Sequence, residues 1–167
     1  MRSESNNVKQ GPDASDAVRC RDVMREALSA CRAESRLAGE IISIYNSQWE
    51  QIKDLDVTCL GGGCCCKFDL ADHRVFVTGA EMAVLLTSPP VDISRSKRLR
   101  CPWQDGPRCT AYAVRPLSCR SFYCCGSQHM LQQLCEDAHN AIRTLHQRYS
   151  LPYCYADLLA WCDAIPF

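Results

Sequence analysis

The chain has 167 residues, the size of one domain or of a domain with a tail. Its 19 Lys and Arg balance its 19 Asp and Glu, so it lacks the excess charge with which proteins track nucleic acid or coat an anionic membrane. The longest apolar stretches, Met82 to Leu86 and Leu158 to Trp161, are far shorter than the ~20 residues of a membrane-spanning helix.

In chain order, residues 1–14 are polar, include Gly11 and Pro12, and read as a disordered lead. They contain no apolar core of the kind a secretory signal carries, and a cytoplasmic location is expected. Residues 15–167 read as a single domain in three parts. The first, 15–54, is a helical arm: Met24, Leu28, Cys31, Ser35, Ala38, Ile42, Tyr45, Trp49 and Ile52 recur at spacings of three and four. Ser15 or Asp16 would cap its start, and Gly39 weakens its middle enough to allow two helices. The second part, 55–126, is irregular and cysteine-rich. Within it, His73 to Thr78 predicts a short strand with Val75 and Val77 on one face. Thr78-Gly-Ala-Glu81 predicts a capping box opening a helix that ends near Leu86, before Ser88-Pro89-Pro90. The third part, 127–167, is a C-terminal helical arm with a stripe through Leu131, Leu134, Ala138, Ile142, Leu145 and Tyr149, then a last short helix over 155–162. The fold expected is mainly α. Long flanking helices would pack around an irregular cysteine-rich metal-binding knot with at most a short strand or hairpin and few apolar side chains of its own.

Fourteen cysteines make up about 8% of the chain, and nine of them lie between Cys59 and Cys125. Three readings compete: disulfides, thiolate–metal chemistry, and free buried thiols. Neighbouring α-carbons stand ~3.8 Å apart, closer than the ~4.4–6.8 Å of a bridged pair, so Cys64, Cys65 and Cys66 would each need a distant disulfide partner. Zinc and iron–sulfur clusters are commonly held by four thiolates, and the loop Gly61-Gly62-Gly63 would let backbone N–H groups approach sulfur. The spacing C-x4-C-C-C matches neither a zinc finger nor a ferredoxin, so it leaves the metal open. Lys67, Arg108, Arg115 and Arg120 neighbour the cysteines and would offset thiolate charge, unless they are ordinary surface charges. Cys31 reads as a core residue, and Trp49, Trp103 and Trp161 as packing residues. His139 and His146 on one helical face, the group Asp69, Asp72 and His73, and Cys135 are minor ligand candidates. No nucleophile-elbow, phosphate-loop or dinucleotide motif occurs.

At these cysteines the sequence resembles the YkgJ-like family of small cysteine-rich proteins described as zinc- or iron-chelating. The family order C-x2-C-G-x-C-C, C-P, Cys before Tyr, R-P, C-R and aromatic-x-C is met by Cys59, Gly63, Cys65 and Cys66; Cys101-Pro102; Cys109 and Tyr112; Arg115-Pro116; Cys119-Arg120; and Phe122 with Cys124. The likeness covers about residues 59–125. It departs at Gly62, which stands where the family has its second cysteine; Cys64 is the substitute at hand. Clusters and resemblance together imply metal ligands at Cys59, Cys64, Cys65, Cys66, Cys101, Cys109, Cys119 and Cys124, with Cys125 an alternative to Cys124. The cofactor would be an iron–sulfur cluster, such as 4Fe-4S, or zinc. A weaker likeness to larger flagellin lysine N-methylases, which resemble iron–sulfur enzymes, goes with a second expectation, an enzyme modifying a protein or peptide partner; an electron carrier is a third.

Overall fold

The structure is a computed structural model that describes residues 14–71, 73–126 and 128–165. The expected lead, apart from Ala14, lies outside these residues, as do Asp72, Ser127 and the side chains of Ser15 and Asp16.

The described chain is mainly α. Helices α1 (Ala14–Ala33) and α2 (Leu37–Ile52) come first. The middle of the chain holds strand β1 (Val57–Thr58), a 3-10 turn at Cys64–Cys66, α3 (Phe68–Ala71), β2 (Phe76–Thr78), α4 (Gly79–Leu85) and a 3-10 helix at Ile93–Arg98. It continues with β3 (Gln104–Asp105), β4 (Arg108–Cys109), a 3-10 turn at Tyr112–Val114, α5 (Leu117–Arg120) and β5 (Cys125–Gly126). Helix α6 (Gln128–Arg148), strand β6 (Tyr155–Asp157) and α7 (Leu158–Ala164) finish the described fold. The strands form antiparallel pairs β1–β5, β2–β6 and β3–β4.

The first arm breaks at Glu34–Arg36 rather than at Gly39, which lies inside α2 with open space around it. The Glu34 side chain accepts from the Arg36 N–H at 3.1 Å, and the Leu37 N–H donates to the Glu34 carbonyl at 3.2 Å. These bonds satisfy the local turn and reset the helical phase. The buried face of α2 is therefore Leu37, Ile41, Tyr45, Gln48 and Ile52, while Ala38 and Trp49 of the expected stripe are exposed. On α6 the stripe falls as expected, with Leu131, Ala138, Ile142 and Leu145 buried. The expected last helix is shorter, because Tyr155–Asp157 is captured as a strand by β2; Val77 pairs with Ala156 there.

Contrary to expectation, the cysteine-rich stretch supplies many apolar side chains of its own to the core it shares with the helical arms. Helix α4 is buried almost all round and lies between two side-chain clusters. Met82 and Leu85 join Met24, Ala27, Val75, Val77, Trp103 and Trp161, together with Cys66 and Cys101. Ala80 and Val84 join Cys31, Ile41, Tyr45, Leu117 and Ile142. Both tryptophans are anchored at their polar end: Trp103 Nε1 donates to Ser88 O at 2.6 Å and Trp161 Nε1 to Val77 O at 3.1 Å.

The capping box forms as expected. Glu81 N–H donates to Thr78 Oγ1 at 3.2 Å, and Glu81 Oε2 accepts from Thr78 N–H at 2.9 Å. The same carboxylate also works at long range. Its Oε1 accepts the Leu117 N–H at 2.9 Å and so fixes the start of α5. Glu81 is 1% exposed, and burial holds its carboxyl above the usual range despite these hydrogen bonds.

A raised carboxyl binds its proton more tightly in the folded chain than in the unfolded one. Its contribution to stability is thus greatest below the unfolded pKa and is lost as pH rises through the folded value. Glu81→Gln places an N–H₂ against a donor and should destabilise by about 2 kcal/mol at low pH. Urea unfolding should show the gap to wild type narrowing as pH rises above the ordinary glutamate range and through the raised folded value; a gap that widens as pH rises would contradict the assignment.

Candidate metal centre

Four local devices bring the cysteine stretches together. The first is the glycine loop. Gly63 takes the left-handed region (φ +66°) and opens the 3-10 turn that carries Cys64, Cys65 and Cys66. A Cβ on Gly63 would stand 2.7 Å from Gln104 Nε2 and 3.1 Å from Pro107 O, so only glycine fits. The second device is Gln104, whose Nε2 donates to Gly63 O at 3.2 Å and Gly106 O at 3.0 Å, tying the first cysteine turn to the second cysteine segment. Cys101 N–H adds a bond to Cys66 O at 2.9 Å. The third is the β3–β4 hairpin, turned at Gly106 (φ +54°), which sets Cys109 opposite Gln104. The fourth is the Glu81–Leu117 bond, which fixes α5 and with it Cys119, two residues on.

The outcome is a compact group of thiols. Cys65 hydrogen-bonds with Cys66, and Cys66 with Cys101. Cys109 and Cys119 lie within electrostatic reach of Cys65 and Cys66 and of each other. The bond with Cys66 and then burial hold the Cys65 thiol far above its usual range. The bond with Cys101 and then burial push Cys66 up to about 12. Burial, reinforced by the neighbouring sulfurs, raises Cys119 far above the ordinary range; burial also raises Cys109. Gathered in this way, the four thiols resist ionisation unless positive charge joins them.

One such charge is present. Arg115 lowers the pKa of Cys65, Cys109 and Cys119, and its guanidinium stacks on the Tyr112 ring at 3.9 Å. Its Nε is buried with no hydrogen-bond partner among the described residues. Of the other expected counter-charges, Arg120 packs over the Tyr45 ring at 4.3 Å and Arg108 is exposed.

Five of the eight cysteines expected as ligands are thus brought together: Cys65, Cys66, Cys101, Cys109 and Cys119. Cys59, Cys64 and Cys124 are exposed, as is Cys125. Three of these follow the β1–β5 ladder, where Thr58 pairs with Cys125 and Cys124 N–H donates to Thr58 O at 3.1 Å. A Cβ on Gly62 would stand 3.7 Å from Cys64 Sγ, so the position of the missing family cysteine adjoins a sulfur already present. Every cysteine of the described chain is free of disulfide. Among the described residues, no three His, Cys, Asp or Glu side chains are already disposed about a common point as metal coordination requires.

The minor candidates go elsewhere. His146 Nδ1 meets Pro152 O at 3.1 Å, and His139 Nε2 meets Tyr153 Oη at 2.6 Å. His73 lies between Phe68 and Phe122, 4.7 Å from the latter's centroid, and Asp69 pairs with Arg100. Cys135 is half-buried beside Ser121. Cys31 is a core residue as expected, its thiol raised by burial to about 11. Glu81 and Gln104, which position the site, were not read from the sequence as site residues. Gly106-Pro107, a two-residue loop led by glycine, is the hairpin signal that would have pointed to Gln104; the reach of Glu81 to Leu117 has no local signal.

Compared with known proteins, the chain matches no family model, and no curated protein or solved structure matches it.

Gly63→Ala should cost about 3 kcal/mol, combining left-handed strain with displacement of Gln104 and Pro107. Gly61→Ala has the same φ of +66° but open space around it, and should cost only about 1 kcal/mol. Equal losses in chemical denaturation would show that the contact with Gln104 contributes nothing.

Proposed function

We propose that this chain is a thiolate metal-binding protein, holding an iron–sulfur cluster or zinc, and a relative of the YkgJ-like proteins. The observation that carries this reading is the convergence of Cys65, Cys66, Cys101, Cys109 and Cys119 from separate stretches, all free of disulfide, with the cation Arg115 beside Cys65, Cys109 and Cys119. The fit is chemical. Sulfurs that raise each other's pKa are those a cationic centre would stabilise, and a buried guanidinium Nε without a partner suits a site with negative charge to spare. The geometry is not closed, so loading requires rotation of thiol side chains and release of their protons. When bound, the metal or cluster would add sulfur bonds to a frame that already brings the three stretches together.

In this reading Cys65 and Cys66 present sulfur from the glycine-led turn, Cys101 and Cys109 from the two ends of the hairpin segment, and Cys119 from α5. Arg115 offsets thiolate charge. Cys64, beside the Gly62 position, is the outer ligand that would stand in for the missing family cysteine. Free thiols in this number suit a reducing compartment such as the cytoplasm.

Anaerobic purification followed by iron, zinc and sulfide analysis tests the proposal. Wild type should carry stoichiometric metal, with broad visible absorption if it is a cluster and none if it is zinc. Cys66→Ser and Cys119→Ser should each lower the metal content at least about fivefold, whereas Cys31→Ser should leave it unchanged. Metal-free protein from every preparation, or equal loss in all three variants, would sink it.

A further inference from the structure

Beside the thiol group lies a concentration of positive charge that the metal-binding reading does not use. Lys67 directly follows Cys66, and its backbone forms a bridge with Arg100, which directly precedes Cys101. The 3-10 helix at Ile93–Arg98 carries Arg95, Lys97 and Arg98 in its last turn. Leu99, at φ +53°, then turns the chain back so that Arg100 joins them. Lys67, Arg95, Arg98 and Arg100 line one open cavity of about 510 Å³ together with Asp69 and Gln104.

The cations there are partly fixed. Arg95 Nη1 donates to the Gln104 carbonyl, and its Nε lies 3.5 Å from Asp92. Arg98 shares the Asp92 carboxylate at 3.8 Å, while that carboxylate also accepts from Ser94 N–H at 3.0 Å. Arg100 pairs with Asp69 at 3.0 Å. The Arg95 and Arg100 side chains are each only 29% exposed, so they are held rather than waving in solvent. Lys67 has no ion-pair partner among the described residues. Four basic groups thus line one concavity with a single carboxylate, Asp69, while Asp92, which is not part of the lining, pairs with Arg95 and Arg98, on a chain whose total charge is zero. Guanidinium groups held by backbone and carboxylate contacts keep donors to spare, and their planar fork matches phosphate and carboxylate oxygens.

We propose that this cradle is a binding site for a small polyvalent anion, a ligand with at least two phosphate or carboxylate groups. The proposal does not rest on the metal, because its four cations line a cavity to which no cysteine contributes. Lys67 and Arg98 supply the long-range attraction, and Arg95 and Arg100 the fixed donors. The cavity is large enough for a diphosphate or a tricarboxylate.

The test is isothermal titration of the full chain with inorganic pyrophosphate and with citrate, and with chloride as the monovalent control. Saturable binding of either polyanion is expected, weakening about tenfold or more between low and physiological salt. Pyrophosphate alone would identify a phosphate ligand, citrate alone a carboxylate ligand, and both a site that reads charge. The double variant Lys67→Ala/Arg98→Ala should weaken binding at least about tenfold. The control Arg143→Ala on α6 should leave it unchanged. Arg98→Ala alone, on a side chain 68% exposed, carries the test if the double variant fails to fold. Absence of saturable binding by both polyanions, or the same loss in Arg143→Ala, would overturn the proposal.

Discussion

The Glu81 carboxyl group ties two elements from the middle of the chain, α4 and α5, to one another. It closes the N-terminus of α4 through Thr78, and with its other oxygen it fixes the first N–H of α5. Helix α4 is the element on which both apolar clusters rest, and α5 carries Cys119. A buried carboxylate is costly unless its oxygens are satisfied, and here each accepts a backbone N–H from a different part of the chain. The position of one thiol is thereby coupled to the packing of the entire helical frame.

The thiol group poses the opposite electrostatic problem. Its sulfurs gain little from one another: burial and most contacts with neighbouring sulfurs favour the protonated form, the contact of Cys65 on Cys66 being an exception. What keeps them close is the surrounding covalent and hydrogen-bonded frame. Gly63 in its left-handed turn, the two bonds of Gln104, the Cys101–Cys66 backbone bond and the Glu81–Leu117 bond all act on backbone rather than on sulfur. Cys66 and Cys101 also belong to the apolar core with Trp103 and Met82. The frame is therefore built partly by ordinary hydrophobic packing, and it gathers the thiols with much of the ordering entropy already spent on folding. The basic cradle shares that frame, since Lys67 and Arg100 are the chain neighbours of Cys66 and Cys101.

The features legible in the sequence are those with a short range. The Thr78–Glu81 capping box, the strand with Val75 and Val77 buried, the stripe of α6 and the core role of Cys31 all follow from residues within a turn or two of each other. The stripe of α2 failed because a single side chain, Glu34, bonds the local backbone and shifts the helical phase by breaking the helix early. The strand at Tyr155–Asp157 was read as helix because its partner, Phe76–Thr78, lies some eighty residues away. The cysteine segments were recognisable by density and order, but spacing could not say which sulfurs would meet.

The sequence by itself determined that this is a mainly α chain of balanced charge with cysteine-dense turns, because helical periodicity, caps and glycine turns are set by near neighbours. Tertiary structure alone decided that Cys65, Cys66, Cys101, Cys109 and Cys119 gather while Cys59, Cys64 and Cys124 stay at the surface. It also decided that four scattered basic residues share one concavity. The first outcome depends on long-range hydrogen bonds at Glu81 and Gln104 and on the packing of α4, the second on the Lys67–Arg100 bridge and the Asp69–Arg100 pair, and such contacts leave no periodic trace in the order of residues.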